Sequence, residues 1–127
     1  MIPKNVYLAG GFKSGWQNIV KECCEHYSYF DPSSHNIVNP KEYTEFDLKA
    51  VREADIVFAY MEVSNPAGYA LALEIGYAKA LGKLIIFVEE GLENPRKRYF
   101  DMVRYSSDFN FTSLQDGIEY LQKLENF

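Results

Sequence analysis

Cysteine is nearly absent: the 127 residues hold two, Cys23 and Cys24, side by side. Adjacent cysteines are badly placed to bridge each other and no third offers a partner, so a disulfide framework is excluded. Inside a helical pattern they read as a reduced pair in a cytoplasmic protein, with Cys23 or Cys24 buried as a small hydrophobe. Histidine is equally scarce. His26 and His35 have no ligand-like spacing with either cysteine, which argues against zinc, and no metal or organic cofactor is implied. Positive charge is also short: 13 Lys and Arg face 18 Asp and Glu, a net charge of -5. The one basic run, Arg96-Lys97-Arg98, reads as a solvated loop or a contact to a single phosphate. Binding of polymeric nucleic acid, which needs clustered cations, is disfavoured. The N-terminal apolar stretch is broken by Lys4 and Gly10 and fits neither a signal peptide nor a membrane span.

What is present is an ordinary globular balance, 47% hydrophobic and 24% charged, in a chain of single-domain length. Residues 1–127 are read as one domain. Aromatics reach 16%, ten of them Tyr and nine Phe, so the core is expected to be aromatic, with any excess at a pocket or subunit interface.

Short apolar runs alternate with helical patterns. Val6-Tyr7-Leu8-Ala9, closed by Gly10-Gly11, reads as a buried strand and its turn. From Ser14, a plausible N-cap, to about Tyr27, the spacing of Trp16, Ile19, Val20 and Cys23 predicts a helix. Tyr27 to Phe30 is a possible second strand, followed by a polar loop at Asp31-Pro32-Ser33-Ser34. An amphipathic helix is expected over 43–54. Ile56 to Val63 is the strongest strand, Ser64 to Gly68 a loop, and Tyr69 to Leu81 a helix ended by Gly82. Leu84 to Val88 is another strand, Glu89 to Tyr99 is irregular, and Leu114 to Leu124 is a last helix. Strands separated by helices imply right-handed βαβ units, hence a doubly wound parallel sheet with helices on both faces. Ligands then sit beyond the carboxyl ends of the strands. The turn after Tyr7–Gly11, the loop after Val63 and the start of the Glu74 helix should meet there.

Glu74 is the most unusual residue in its setting: the one carboxylate in a helix of small and apolar residues, Tyr69 to Ala78. Such a group is exposed at an edge, paired, or desolvated with a raised pKa. Gly76 would allow a close approach to that helix. Tyr7 closes the first strand, either as a core tyrosine or with its hydroxyl in the crevice. Gly10, Gly11, Lys13 and Ser14 form a candidate anion cradle at a helix start, although the pattern is neither a Walker loop nor GxGxxG. Asp47 can point toward the ligand end or belong to a solvated face. Asp55 opens the central strand.

Val6-Tyr7-Leu8-Ala9-Gly10, Phe46-Asp47-Leu48, Ala54-Asp55-Ile56-Val57 and Leu73-Glu74-Ile75-Gly76-Tyr77-Ala78 with Gly82-Lys83 together resemble the nucleoside 2-deoxyribosyltransferase family. The resemblance runs over nearly the whole chain in the right order. It implies a flavodoxin-like domain that transfers 2-deoxyribose between bases through a covalent glycosyl-enzyme intermediate, and relatives that hydrolyse nucleoside monophosphates. By it, Glu74 is the nucleophile, Tyr7 orients it, Asp47 meets the departing base and Asp55 is structural. It also implies a homodimer or higher homo-oligomer whose neighbouring subunit completes the site. The sequence departs from the family at Gly68, where many transferases place an acid, and at Ala70, usually glycine. Asn65 to Tyr69 replaces the usual loop. Phe12, Trp16 and Tyr69 each read as a packing residue or as an aromatic that stacks on the base. The expected ligand is a small nucleoside or nucleotide. Three functions remain open: a transferase, a 5′-monophosphate N-glycosidase, and a non-catalytic nucleotide-binding module.

Overall fold

The computed structural model describes residues 4–125. Five parallel strands, β1 (Asn5–Gly10), β2 (Ser28–Phe30), β3 (Ile56–Glu62), β4 (Leu84–Glu90) and β5 (Phe109–Phe111), lie in the order β2-β1-β3-β4-β5. That is the flavodoxin-like doubly wound order, with the switch between β1 and β3. The helices are α1 (Trp16–Cys23), α2 (Pro40–Glu53), α3 (Tyr69–Ala80), α4 (Asp101–Ser106) and α5 (Leu114–Leu124).

Side chains that alternate along each strand face opposite sides, which is why the strands are apolar almost throughout. Tyr7 and Ala9, Val57 and Ala59, Ile85 and Phe87 face one side, where Val51 of α2, Leu71, Ile75 and Ala78 of α3 and Val103 of α4 cover them. Val6 and Leu8, Phe58 and Tyr60, Ile86 and Val88 face the other, under Trp16 and Val20 of α1 and Ile118 and Leu121 of α5. A βαβ crossover returns the chain to the amino edge of the sheet after each helix, so all the strand-to-helix loops share the carboxyl edge. No helix of the described residues is long and apolar enough to cross a membrane.

Several local expectations shift. Gly15, not Ser14, occupies the N-cap of α1, and no side chain caps that helix. The helix stops at Cys23; Cys24 is fully buried, with its thiol pushed up to about 12 by burial, whereas Cys23 is exposed. α2 begins at Pro40, because Asn39 accepts from the N–H groups of Lys41 and Glu42 and proline suits the first helical turn. β5 and α4 add elements where no structure was expected. Gly82 follows the last turn of α3 as expected. Asp55 is structural: its carboxylate accepts from the backbone N–H of Asn5 at 2.8 Å, tying β3 to the start of β1.

Candidate active site

A pocket of about 680 Å³ opens at the carboxyl edge of the sheet, a size typical of small-molecule sites. The three predicted segments meet in it: Gly10 to Lys13 after β1, Asn65 to Gly68 after β3, and Tyr69, Ala70, Leu71 and Glu74 of α3. Of a fourth wall the sequence reading offered Asp47 alone, and the rest of it was missed. Pro32, Ser33, His35 and Ile37 of the loop after β2, with Tyr43 and Asp47 of α2, close the side beside β1. The signal was in the strand order, since a strand adjacent to β1 must leave its loop on the same rim.

Glu74 points inward from α3 and is 8% exposed. Its Oε2 accepts from the hydroxyl of Tyr7, and no hydrogen bond reaches Oε1 among the described residues. Tyr7 lies in the middle of β1, not at its end, and its ring stacks on Phe30 at 5.5 Å. The strand thus sets the ring and the ring's length carries the hydroxyl to α3. Burial, opposed by the Tyr7 hydrogen bond and reinforced by the charge of Asp47, pushes Glu74 up to about 7. The Tyr7 phenol is held far above its ordinary range by burial and then by the charge of Glu74, so Tyr7 stays a donor.

Asp47 also faces the pocket, and His35 Nε2 stands 2.9 Å from its Oδ1. Burial raises the pKa of Asp47, against the lowering effect of the histidine. At the start of the same loop, Asp31 is buried and its pKa is lowered. Burial works upward there, but hydrogen bonds from Lys21 and Ser33 outweigh it.

The remaining candidates divide. Gly10, Gly11, Phe12, Lys13, Asn65, Gly68 and Tyr69 all line the pocket, and Phe12 and Tyr69 are 62% and 84% exposed. Ser14 does not: its hydroxyl donates to Glu62 at 2.6 Å, and a carboxylate at that position opposes an anion. Trp16 is buried beneath α1, stacked on Phe58 with its indole N–H on the Gly11 carbonyl, so no base can reach it. Gly76 needs no close approach, because nothing lies within 4 Å of an added Cβ. Gly68 has a packing reason to be glycine. Its φ is +79°, and a Cβ there would sit 2.8 Å from both Met61 Sδ and Phe100 Cζ. The Arg96 to Arg98 run lies off the pocket, with Arg96 donating to the Val63 carbonyl. Among the described residues, no group of three or more His, Cys, Asp or Glu is arranged to hold a metal ion.

The family model described as nucleoside 2-deoxyribosyltransferase like matches residues 3–92 of the chain. Similar solved structures include a 2-desoxiribosyltransferase from Leishmania mexicana, with a TM-score of 0.75 and 19% identity over 95% of this chain and 98% of that one. A CMP N-glycosidase of Clostridium botulinum follows at 0.65 and 25% identity, covering 98% and 100%. A 2-deoxyribosyltransferase from the psychrotolerant bacterium Bacillus psychrosaccharolyticus gives 0.67 and 21% identity, covering 97% and 91%. The two transferases, at 19% and 21% identity, share the fold with this chain. No curated protein matches the chain in sequence.

Proposed function

The chain belongs to the nucleoside 2-deoxyribosyltransferase-like family, and from that premise we propose that it cleaves the N-glycosidic bond of a (deoxy)nucleoside through a covalent glycosyl-Glu74 intermediate and passes the sugar to another base. The observation that carries this reading is Glu74 itself: a desolvated carboxylate in a pocket wall, with one oxygen held by Tyr7 and the other without a hydrogen-bond partner among the described residues. Attack of Oε1 on the anomeric carbon forms the ester as the C–N bond breaks. The bonding pair leaves with the base nitrogen, which takes a proton from Asp47 or water. A second base then attacks the same carbon, loses its proton and frees the carboxylate, with retention of configuration. Positive charge on the sugar in each transition state is stabilised by the same carboxylate. Phe12 and Tyr69, exposed at the pocket, are the stacking surfaces for the flat base.

Only the ionised carboxylate attacks, so base release should rise as the pH climbs through about 7. Tyr7→Phe removes the one interaction that lowers the pKa of Glu74. The rising limb of the pH–rate profile should move to higher pH, and the rate at pH 7 should fall ~10–100-fold, as for a lost hydrogen bond to a charged group. An unmoved limb in an active, folded variant would remove Tyr7 from the site.

A second reading, hydrolysis of a nucleoside 5′-monophosphate, is favoured by Lys13, the one Lys or Arg that lines the pocket among the described residues. Nucleosides and their 5′-monophosphates, incubated with and without a free acceptor base and followed by chromatography, separate the two. Exchange that requires the acceptor supports transfer, and release into water that is strongest with a monophosphate supports hydrolysis. Wild-type protein that yields neither at high concentration is a nucleotide-binding module.

The proposed enzyme works as a homodimer or higher homo-oligomer. Tyr69 and Leu73 of α3 and Met102 and Tyr105 of α4 support this, being 84%, 60%, 83% and 84% exposed on helices that pack together. Its two free thiols support a place in the reducing cytoplasm.

A further inference from the structure

His35 follows the turn after β2 and shares the pocket with Asp47. Its ring is fixed on every side that matters. Phe46 meets it edge-on at 5.6 Å and Phe30 lies 6.3 Å away. Nδ1 accepts from the backbone N–H of Ile37 at 3.3 Å. A histidine that accepts on Nδ1 carries its proton on Nε2, so the 2.9 Å contact with Asp47 is a donation from Nε2 to Oδ1. The carboxylate therefore has one oxygen committed. No hydrogen bond reaches Oδ2 among the described residues, and the side chain is 17% exposed, on the pocket side.

We propose that His35 is a positioning residue: by donating Nε2–H to Oδ1 it locks the carboxyl plane of Asp47 and presents Oδ2 to the base of the bound nucleoside. This rests on the reading of Asp47 as the group that meets the departing base. Without the histidine, the Asp47 side chain is free to rotate toward solvent, and the base loses a fixed partner. The arrangement follows the logic of a metal site, where a partner behind the ligand sets its orientation. His35 touches no substrate in this scheme. Its effect runs wholly through Asp47, so it vanishes when Asp47 is removed.

The test uses the free bases adenine and cytosine as probes, titrated calorimetrically into wild type, His35→Leu, His35→Gln, Asp47→Ala and the double variant His35→Leu/Asp47→Ala. His35→Leu should weaken base binding ~10-fold, the value of one well-oriented hydrogen bond. His35→Gln, whose amide N–H can reach Oδ1, should return to within ~3-fold of wild type, and the double variant should bind no worse than Asp47→Ala. Nitrogen NMR of the wild-type ring should show the Nε2–H tautomer at neutral pH. That observation needs no variant to fold. A ring protonated on Nδ1, equal base affinity in wild type and His35→Leu, a Gln variant no better than Leu, or a wild type that binds neither base would each overturn the proposal. Wild-type protein that binds base in this His35-dependent way but releases none from any nucleoside would sink the catalytic reading and leave the positioning role intact.

Discussion

Glu74→Gln should stop base release and stabilise the protein at the same time. Loss of the nucleophile is expected to cut the rate at least ~10³-fold, since an amide cannot form the ester and the remaining site only binds and orients. The stability change follows from where the proton sits. The folded protein holds it up to about pH 7, whereas the unfolded chain gives it up near 4.5. Between those values the folded state binds more protons, so wild-type stability falls as the pH rises through the window. Glutamine keeps the volume and can still accept from Tyr7, but it carries no charge to desolvate. The variant should therefore gain up to about 3 kcal/mol over wild type at pH 8, and nothing near pH 4. Urea unfolding at the two pH values reads the difference directly. A variant no more stable than wild type at pH 8 would show that Glu74 is solvated, and one that still releases base would disqualify it as the nucleophile.

Gly10→Ala should be among the most damaging single-methyl changes in the chain. β1 ends where the Gly10 backbone runs against β3 and the α1 indole. An added Cβ would stand 2.5 Å from the Tyr60 carbonyl oxygen and 2.8 Å from the Trp16 ring. Neither neighbour can yield. The carbonyl belongs to the sheet, and Trp16 is wedged between Phe58 and Tyr60 at 6.1 and 5.4 Å. Overpacking of this kind costs ~3 kcal/mol or more, enough to unfold a marginal domain. Gly76→Ala is the matched control. It adds the same methyl to an exposed helical position with open space around it, where helix propensity should favour alanine by ~0.5–1 kcal/mol. Opposite signs for the two variants in thermal unfolding are the expected outcome. A Gly10→Ala protein as stable as wild type would mean that β1 and β3 are not in this register.

The parts of the fold that were legible were those where one local pattern decides the structure. Four strands and four of the helices could be read because uninterrupted apolar runs and helical spacing admit few alternatives. β5 could not: Phe109-Asn110-Phe111 is three residues long, half-exposed, and paired only along one side with β4. α4, six residues, is too short to show a period. The start of α2 was written plainly as Asn39-Pro40, a capping residue followed by a first-turn proline, but the apolar pattern begins later and drew attention to Tyr43. The misplaced N-cap at Ser14 has a different cause. Serine is the commoner cap, and only the three-dimensional contact with Glu62 shows that its hydroxyl is spent elsewhere.

The site divides the same way. Glu74 stood out because a carboxylate among alanines and leucines has few neutral explanations, and Gly10, Gly11 and Asn65 followed from the rule that ligands gather at strand ends. His35 was invisible. It lies on a loop with no motif, and its importance depends on β2 lying beside β1 and on Asp47 arriving from another element 12 residues later. Tyr7 could be placed on the strand, but the direction of its hydroxyl rests on the face it occupies, which alternation alone could not assign. Trp16 stayed open for the complementary reason, since aromatic character does not say whether a ring is wall or core, and its burial makes it core.

The two adjacent cysteines give the molecule a practical asymmetry. Cys24 is sealed beneath α5, with a thiol that ionises only near 12, whereas Cys23 is exposed at the end of α1. Because α1 runs back from the carboxyl rim of the sheet, Cys23 sits at the opposite rim from the pocket. A maleimide at neutral pH should therefore couple once per chain, at Cys23, and leave the pocket mouth clear. Dye labelling or immobilisation on a resin would then need no engineered attachment point.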